Sequence, residues 1–152
     1  MATPSPTATP VATVPICQAT ALAARIVSWQ GAAGSRIASI EVTNAGAAPC
    51  RMRALDRPQL VDGHTSVLIN GPAPTASEYI KLLAGGILRT MVSASNYCGP
   101  APLAPVSVAF VFPGGASRFV ATPVSPKDVA GVPPCLGTPG SAGSISMHPW
   151  AP

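Results

Sequence analysis

Residues 36–44 read Arg-Ile-Ala-Ser-Ile-Glu-Val-Thr-Asn, in which Ala38, Ile40 and Val42 alternate with Ser39, Glu41 and Thr43. Successive side chains of a strand point to opposite faces, so a period of two marks a strand with one face buried. The pattern recurs on both sides. Leu22 to Gln30 precedes it across the turn Gly31-Ala-Ala-Gly34, and Cys50 to Leu55 follows it. Between them Asn44-Ala-Gly46 turns the chain, since Asn and Gly tolerate positive φ.

Farther along, Gln59 to Asp62 and Thr65 to Ile69 flank Asp62-Gly63-His64, a hairpin signal. Thr75-Ala-Ser-Glu78 matches a helix capping box and predicts a single helical turn, while Tyr79 to Leu83 also suits a strand. Ile87 to Ser95 sets Leu88, Thr90, Val92 and Ala94 opposite Ile87, Arg89, Met91 and Ser93. Val106, Val108, Phe110 and Phe112 alternate with smaller residues, and Pro113-Gly-Gly115 turns this strand into Ser117 to Thr122. Ser144 to Met147 is a last edge strand, running out into a tail in which Trp150 covers the end of the domain. Eight or nine short strands without a helix-period segment predict an all-β fold, an immunoglobulin-like antiparallel β-sandwich. Ile40, Val42, Val92, Val108 and Phe110 are its expected core, with Trp29 at core or rim.

Composition agrees with strands. The chain of 152 residues is 47% hydrophobic and 9% charged, with 19 prolines and 14 glycines. Exposed helices normally carry far more Glu, Lys and Arg. No stretch approaches the ~18–20 consecutive apolar residues that span a bilayer, so no transmembrane segment is expected. Residues 1–15, MATPSPTATPVATVP, read as a disordered Thr/Pro-rich linker, and residues 16–152 as a single domain.

Cys17, Cys50, Cys98 and Cys135 form an even set at wide spacing with no CxxC pair. That usage suggests two structural disulfides and an oxidising compartment, outside the cytoplasm. The linker holds neither a basic n-region nor an apolar h-region of an export signal. The expectation is therefore that Met1 either replaces a removed leader or begins a fragment of a longer chain, and a lost lipid-anchor signal fits a tract of this tethering type.

Several short runs then resemble one family. They are Gly31-Ala-Ala-Gly-Ser35, Glu41-Val-Thr-Asn-Ala-Gly46, Pro49-Cys50-Arg-Met52, Ser93-Ala-Ser-Asn-Tyr-Cys-Gly99 and Val132-Pro-Pro-Cys135. Together they resemble the bacterial secreted or lipid-anchored family known as domain of unknown function 4232. Ala94 and Tyr97 stand where that family's signature usually has tryptophans. The resemblance implies an extracellular or envelope-attached domain and no particular activity. Of the three possible cysteine pairings, spacing and the resemblance favour Cys17–Cys50 and Cys98–Cys135.

Net charge is +4, and Arg51, Arg53 and Arg57 cluster without interleaved aromatics. They are the candidate contacts for an anionic partner, either envelope polymer or phospholipid headgroups; the plainer reading is a solvated strand face. No nucleic-acid motif accompanies them. The loop Asn70 to Tyr79 is a second candidate contact surface, since loops on a rigid scaffold carry binding.

Catalysis is not expected. The acids Glu41, Asp56, Asp62, Glu78 and Asp128 are scattered, no GxSxG elbow occurs, and neither His64 nor His148 has a recognisable partner. Neither cofactor nor metal is expected. The expected function is a non-catalytic binding or structural module of the bacterial cell envelope, contacting polymer or protein. The alternatives are an envelope hydrolase and a copper-handling module built from Met147, His148, Met52, Met91 and His64.

Overall fold

A computed structural model describes residues 13–75, 78–115 and 117–152. The tract up to residue 12, and with it most of the expected linker, lies outside the described residues. So do Ala76 and Ser77, the middle of the capping-box motif. The strands are β1 (Leu22–Ala32), β2 (Ser35–Asn44), β3 (Cys50–Arg53), β4 (Arg57–Val61) and β5 (Val67–Asn70). They continue with β6 (Tyr79–Leu82), β7 (Ile87–Ser95), β8 (Ser107–Val111), β9 (Arg118–Thr122) and β10 (Ser144–Met147). A short 3₁₀ turn, Ala19–Ala21, leads into β1.

The immunoglobulin-like sandwich is overturned. Eight strands form one continuous sheet in the order β10-β7-β2-β1-β9-β8-β4-β5, while β3 and β6 make a separate two-stranded ribbon. The join is a short parallel pairing of β1 with β9, Ala24 opposite Ala121 and Arg25 opposite Thr122. A sandwich would leave that seam open as the boundary between two sheets. The far edges also meet, because β10 packs against β4 and β5. The result is a nearly closed eight-stranded barrel, the size at which side chains just fill the interior.

Local irregularities bend the sheet far enough to close. Register shifts between Ile26 and Ser28 in β1, leaving Val27 exposed, and between Leu60 and Val61 of β4, opposite which β5 carries Leu68 as its extra residue. A bulge of this kind raises local twist and bends its strand. Inside, Ile26, Ile40, Val42, Leu60, Val92, Val106, Val108 and Phe110 are at most 2% exposed. The expected core residues Ile40, Val42, Val92, Val108 and Phe110 therefore do point inward, to a barrel interior rather than a space between two sheets.

The ribbon joins the same core through Cys50, Met52 and Leu82. Disulfides link Cys17 to Cys50 and Cys98 to Cys135, closing separations of 33 and 37 residues. Trp150 is also inside, 2% exposed, with its ring 4.9 Å from that of Phe110. Among the described residues no helix is long and apolar enough to cross a membrane.

Candidate functional site

Strand β3 alternates Cys50 and Met52, both buried, with Arg51 and Arg53, both half-buried. Its partner β6 alternates in the same way, so Arg51 lies opposite Lys81 and Arg53 opposite Tyr79. One face of the ribbon thus carries three cations and a phenol ring. The Arg51 guanidinium carbon stands 4.3 Å from the centroid of the Tyr79 ring, and that of Arg53 stands 5.2 Å away. An aromatic face attracts a cation through its quadrupole and holds it without neutralising it.

Among the described residues no carboxylate lies within ion-pair distance of this ridge. Among the described residues the ion pairs join Glu41 to Arg25 at 2.8 Å and to Arg89 at 3.3 Å. The Arg25 hydrogen bond, aided by the charges of both arginines, holds the Glu41 carboxyl below its ordinary range. Arg118 donates to Gln59 Oε1 and to the Thr65 carbonyl, and Arg36 to the Ser35 carbonyl. By contrast, the Nε atoms of Arg51 and Arg53 are buried without a hydrogen-bond partner.

Beside the ridge opens a cleft of about 580 Å³. Ile16, Met52 and Phe112 give it apolar walls, while Arg53 and Tyr79 stand on its rim. Backbone hydrogen bonds from Arg51 N to the Pro15 carbonyl and from Cys17 N to the Arg51 carbonyl, each 2.8 Å, lay residues 15–17 parallel to β3. With the Cys17–Cys50 bridge, they hold Ile16 to Thr20 in place as one wall. The opposite wall is the β8–β9 turn at Phe112 and Pro113.

Of the three arginines singled out in the sequence, Arg51 and Arg53 share this ridge. Arg57 instead begins barrel strand β4 and lines an adjacent cleft of about 340 Å³, which shares Phe112 and Pro113 with the first. The expectation that no aromatic interleaves with the arginines is corrected by Tyr79. Tyr79 and Lys81 belong to the site and were missed, because nothing in the sequence announces that β3 pairs with β6. The loop Asn70 to Tyr79 contributes its final residue.

The residues proposed for copper are divided among separate surfaces. Met52 is buried beneath the first cleft, whereas Met91 and His148 line a groove of about 500 Å³ with Glu41 and Arg89. Met147 lines a fourth cleft, and its sulfur accepts from the Asp56 amide at 3.5 Å. His64 sits in the β4–β5 turn, where its amide donates to Asp62 Oδ1. Among the described residues no three of His, Cys, Asp or Glu lie close enough to hold a metal ion together.

Asp56 is 2% exposed, and its Oδ2 accepts from Trp150 Nε1 at 3.0 Å while its Oδ1 has no partner. Burial pushes its carboxyl up to about 6, against smaller downward pulls from the Trp150 hydrogen bond and the Arg53 charge. No known family model and no curated protein matches this chain.

Proposed function

We propose that this protein is a non-catalytic binding module of the bacterial cell envelope, working outside the cytoplasm, whose contact surface for anionic material is the β3–β6 ridge. The observation that carries the reading is the pairing of Arg51 and Arg53 over Tyr79 with no carboxylate of the described residues in ion-pair distance. Guanidinium groups positioned in this way present donors whose natural acceptors are phosphate or carboxylate oxygens. Two disulfides support the compartment, because such bridges persist where the medium is oxidising. The resemblance to the secreted and lipid-anchored family of domain of unknown function 4232 supports the same placement.

Binding to long-chain polyphosphate, a soluble stand-in for an anionic envelope polymer, tests the proposal. Retention is expected at low salt, with loss as salt screens the contacts. Replacing Arg51, Arg53 and Lys81 together by Gln should weaken binding by about tenfold or more, equivalent to about 1.4 kcal/mol or more. Replacing Arg57 alone should change it less, since Arg57 lies on the other side of the Phe112–Pro113 turn. Salt-independent retention, or an unchanged triple variant, would rule the ridge out.

A further inference from the structure

We infer that the cleft beside the ridge takes the apolar chain of an anionic single-chain lipid, with the lipid's phosphate or carboxylate head held at Arg53 and Arg51. The inference rests on the anionic-binding reading above and adds a ligand class to it. A polyanion alone has no use for the cleft. Its walls are Ile16, Met52, Phe112 and Pro113, and its volume of about 580 Å³ falls within the range of ligand-binding cavities. Ile16 is 52% exposed on one wall and Tyr79 40% exposed at the rim, so apolar surface faces water at both. Covering such surface is favourable in proportion to the area removed from water.

Charge selects among the apolar molecules that would fit. Arg53 is the guanidinium on the cleft's lining, and Arg51 stands beside it across the same tyrosine ring. Lys81 extends the cationic face one cross-strand pair further. Among the described residues no acidic one lines the cleft. A ligand with one apolar end and one anionic end therefore satisfies both halves of the site. A neutral amphiphile would satisfy one half, and a cationic one would be repelled at the rim. The Ile16–Thr20 wall is tied to β3 by the Cys17–Cys50 bridge and the residue 15–17 backbone ladder, so little ordering is needed on binding.

The test is calorimetric titration of the full chain with dodecyl phosphate below its micelle concentration. Dodecyl maltoside, inorganic phosphate and long-chain polyphosphate are titrated in parallel. Dodecyl phosphate should bind at least about tenfold more tightly than either the maltoside or inorganic phosphate. Thr20→Trp places a large ring at the cleft from an exposed position of the 3₁₀ turn. It should weaken dodecyl phosphate about tenfold and leave polyphosphate unchanged. Arg53→Gln should weaken both. Circular dichroism of each variant establishes that it is folded.

Equal binding of dodecyl phosphate and dodecyl maltoside would overturn the anionic-lipid assignment, as would an unaffected Thr20→Trp variant. Salt-sensitive polyphosphate binding with no dodecyl phosphate binding would sink this inference and leave the proposed function standing. Failure of both ligands would sink both. A dimer in solution that Thr20→Trp dissociates would assign the cleft to a second copy of the chain, which also overturns the lipid.

Discussion

Asp56 is the one buried carboxylate among the described residues, and its placement has a pH consequence. Between the ordinary value of 3.8 and about 6, the folded chain keeps a proton that the unfolded chain has released. Stability contributed by this group therefore falls as pH rises through that window, and its cost is fully present above it. Asp56→Asn removes the titration while leaving an oxygen to accept from Trp150. The variant should be more stable than the parent at pH 7 by roughly 1–3 kcal/mol and should lose most of that gain near pH 4. Urea denaturation at the two pH values checks the sign, and a variant less stable at pH 7 would contradict it. Other single residues show how local reading and structure diverge. The turn after β2 does not use positive φ at Asn44; its side chain accepts from Gly46 N and donates to the Ala48 and Leu82 carbonyls. In the Asp62-Gly63-His64 turn the left-handed residue is Thr65, at φ 58°. Gly63 is needed there for close approach, because a Cβ would collide with the Ala104 carbonyl.

At the scale of elements, the chain after β10 continues along β7 as an irregular extension. His148 N donates to the Met91 carbonyl at 3.0 Å, and Arg89 and Ala151 exchange backbone hydrogen bonds at 2.7 and 3.0 Å. Thr90 Oγ1 donates to the His148 carbonyl at 2.6 Å, holding the kink between them. This path turns Trp150 inward, where its ring lies 4.9 Å from Phe110 and 6.1 Å from Phe119. Removing a buried tryptophan leaves a cavity as well as lost contacts. Trp150→Ala should therefore cost about 3–5 kcal/mol in equilibrium unfolding. A loss under about 1 kcal/mol would mean the segment does not hold the core. The ribbon β3–β6 differs in kind, since its outer face is specialised for charge. Its alternation was legible in the sequence as strand periodicity, but its partner strand was not.

For the whole molecule, the two disulfides close consecutive loops that do not overlap, residues 17–50 and 98–135. In the chain-entropy account each loop of this length restricts the unfolded ensemble by roughly 3–4 kcal/mol. Replacing Cys17 and Cys50 together by Ser should cost about that amount, and Cys98 with Cys135 a similar amount, with near additivity. Guanidine unfolding of the two pairs and the quadruple variant measures it. A strongly non-additive result would show that the two loops are coupled. Strand existence and facing were legible in the sequence, because a side chain's face follows from its own position in the pleat. Thus Ala38, Ile40 and Val42 on β2, and Leu88, Thr90, Val92 and Ala94 on β7, lie on the buried face as their alternation requires. Only the tertiary structure decided that one sheet closes into a barrel, because closure depends on two residue pairs between β1 and β9 and on bulges at Val27 of β1 and Leu68 of β5. It also decided that Tyr79 stands against Arg51 and Arg53, and that Asp56 meets Trp150 across 94 residues of chain. Periodicity carries which side of a strand is apolar; it carries no information about which distant strand lies beside it.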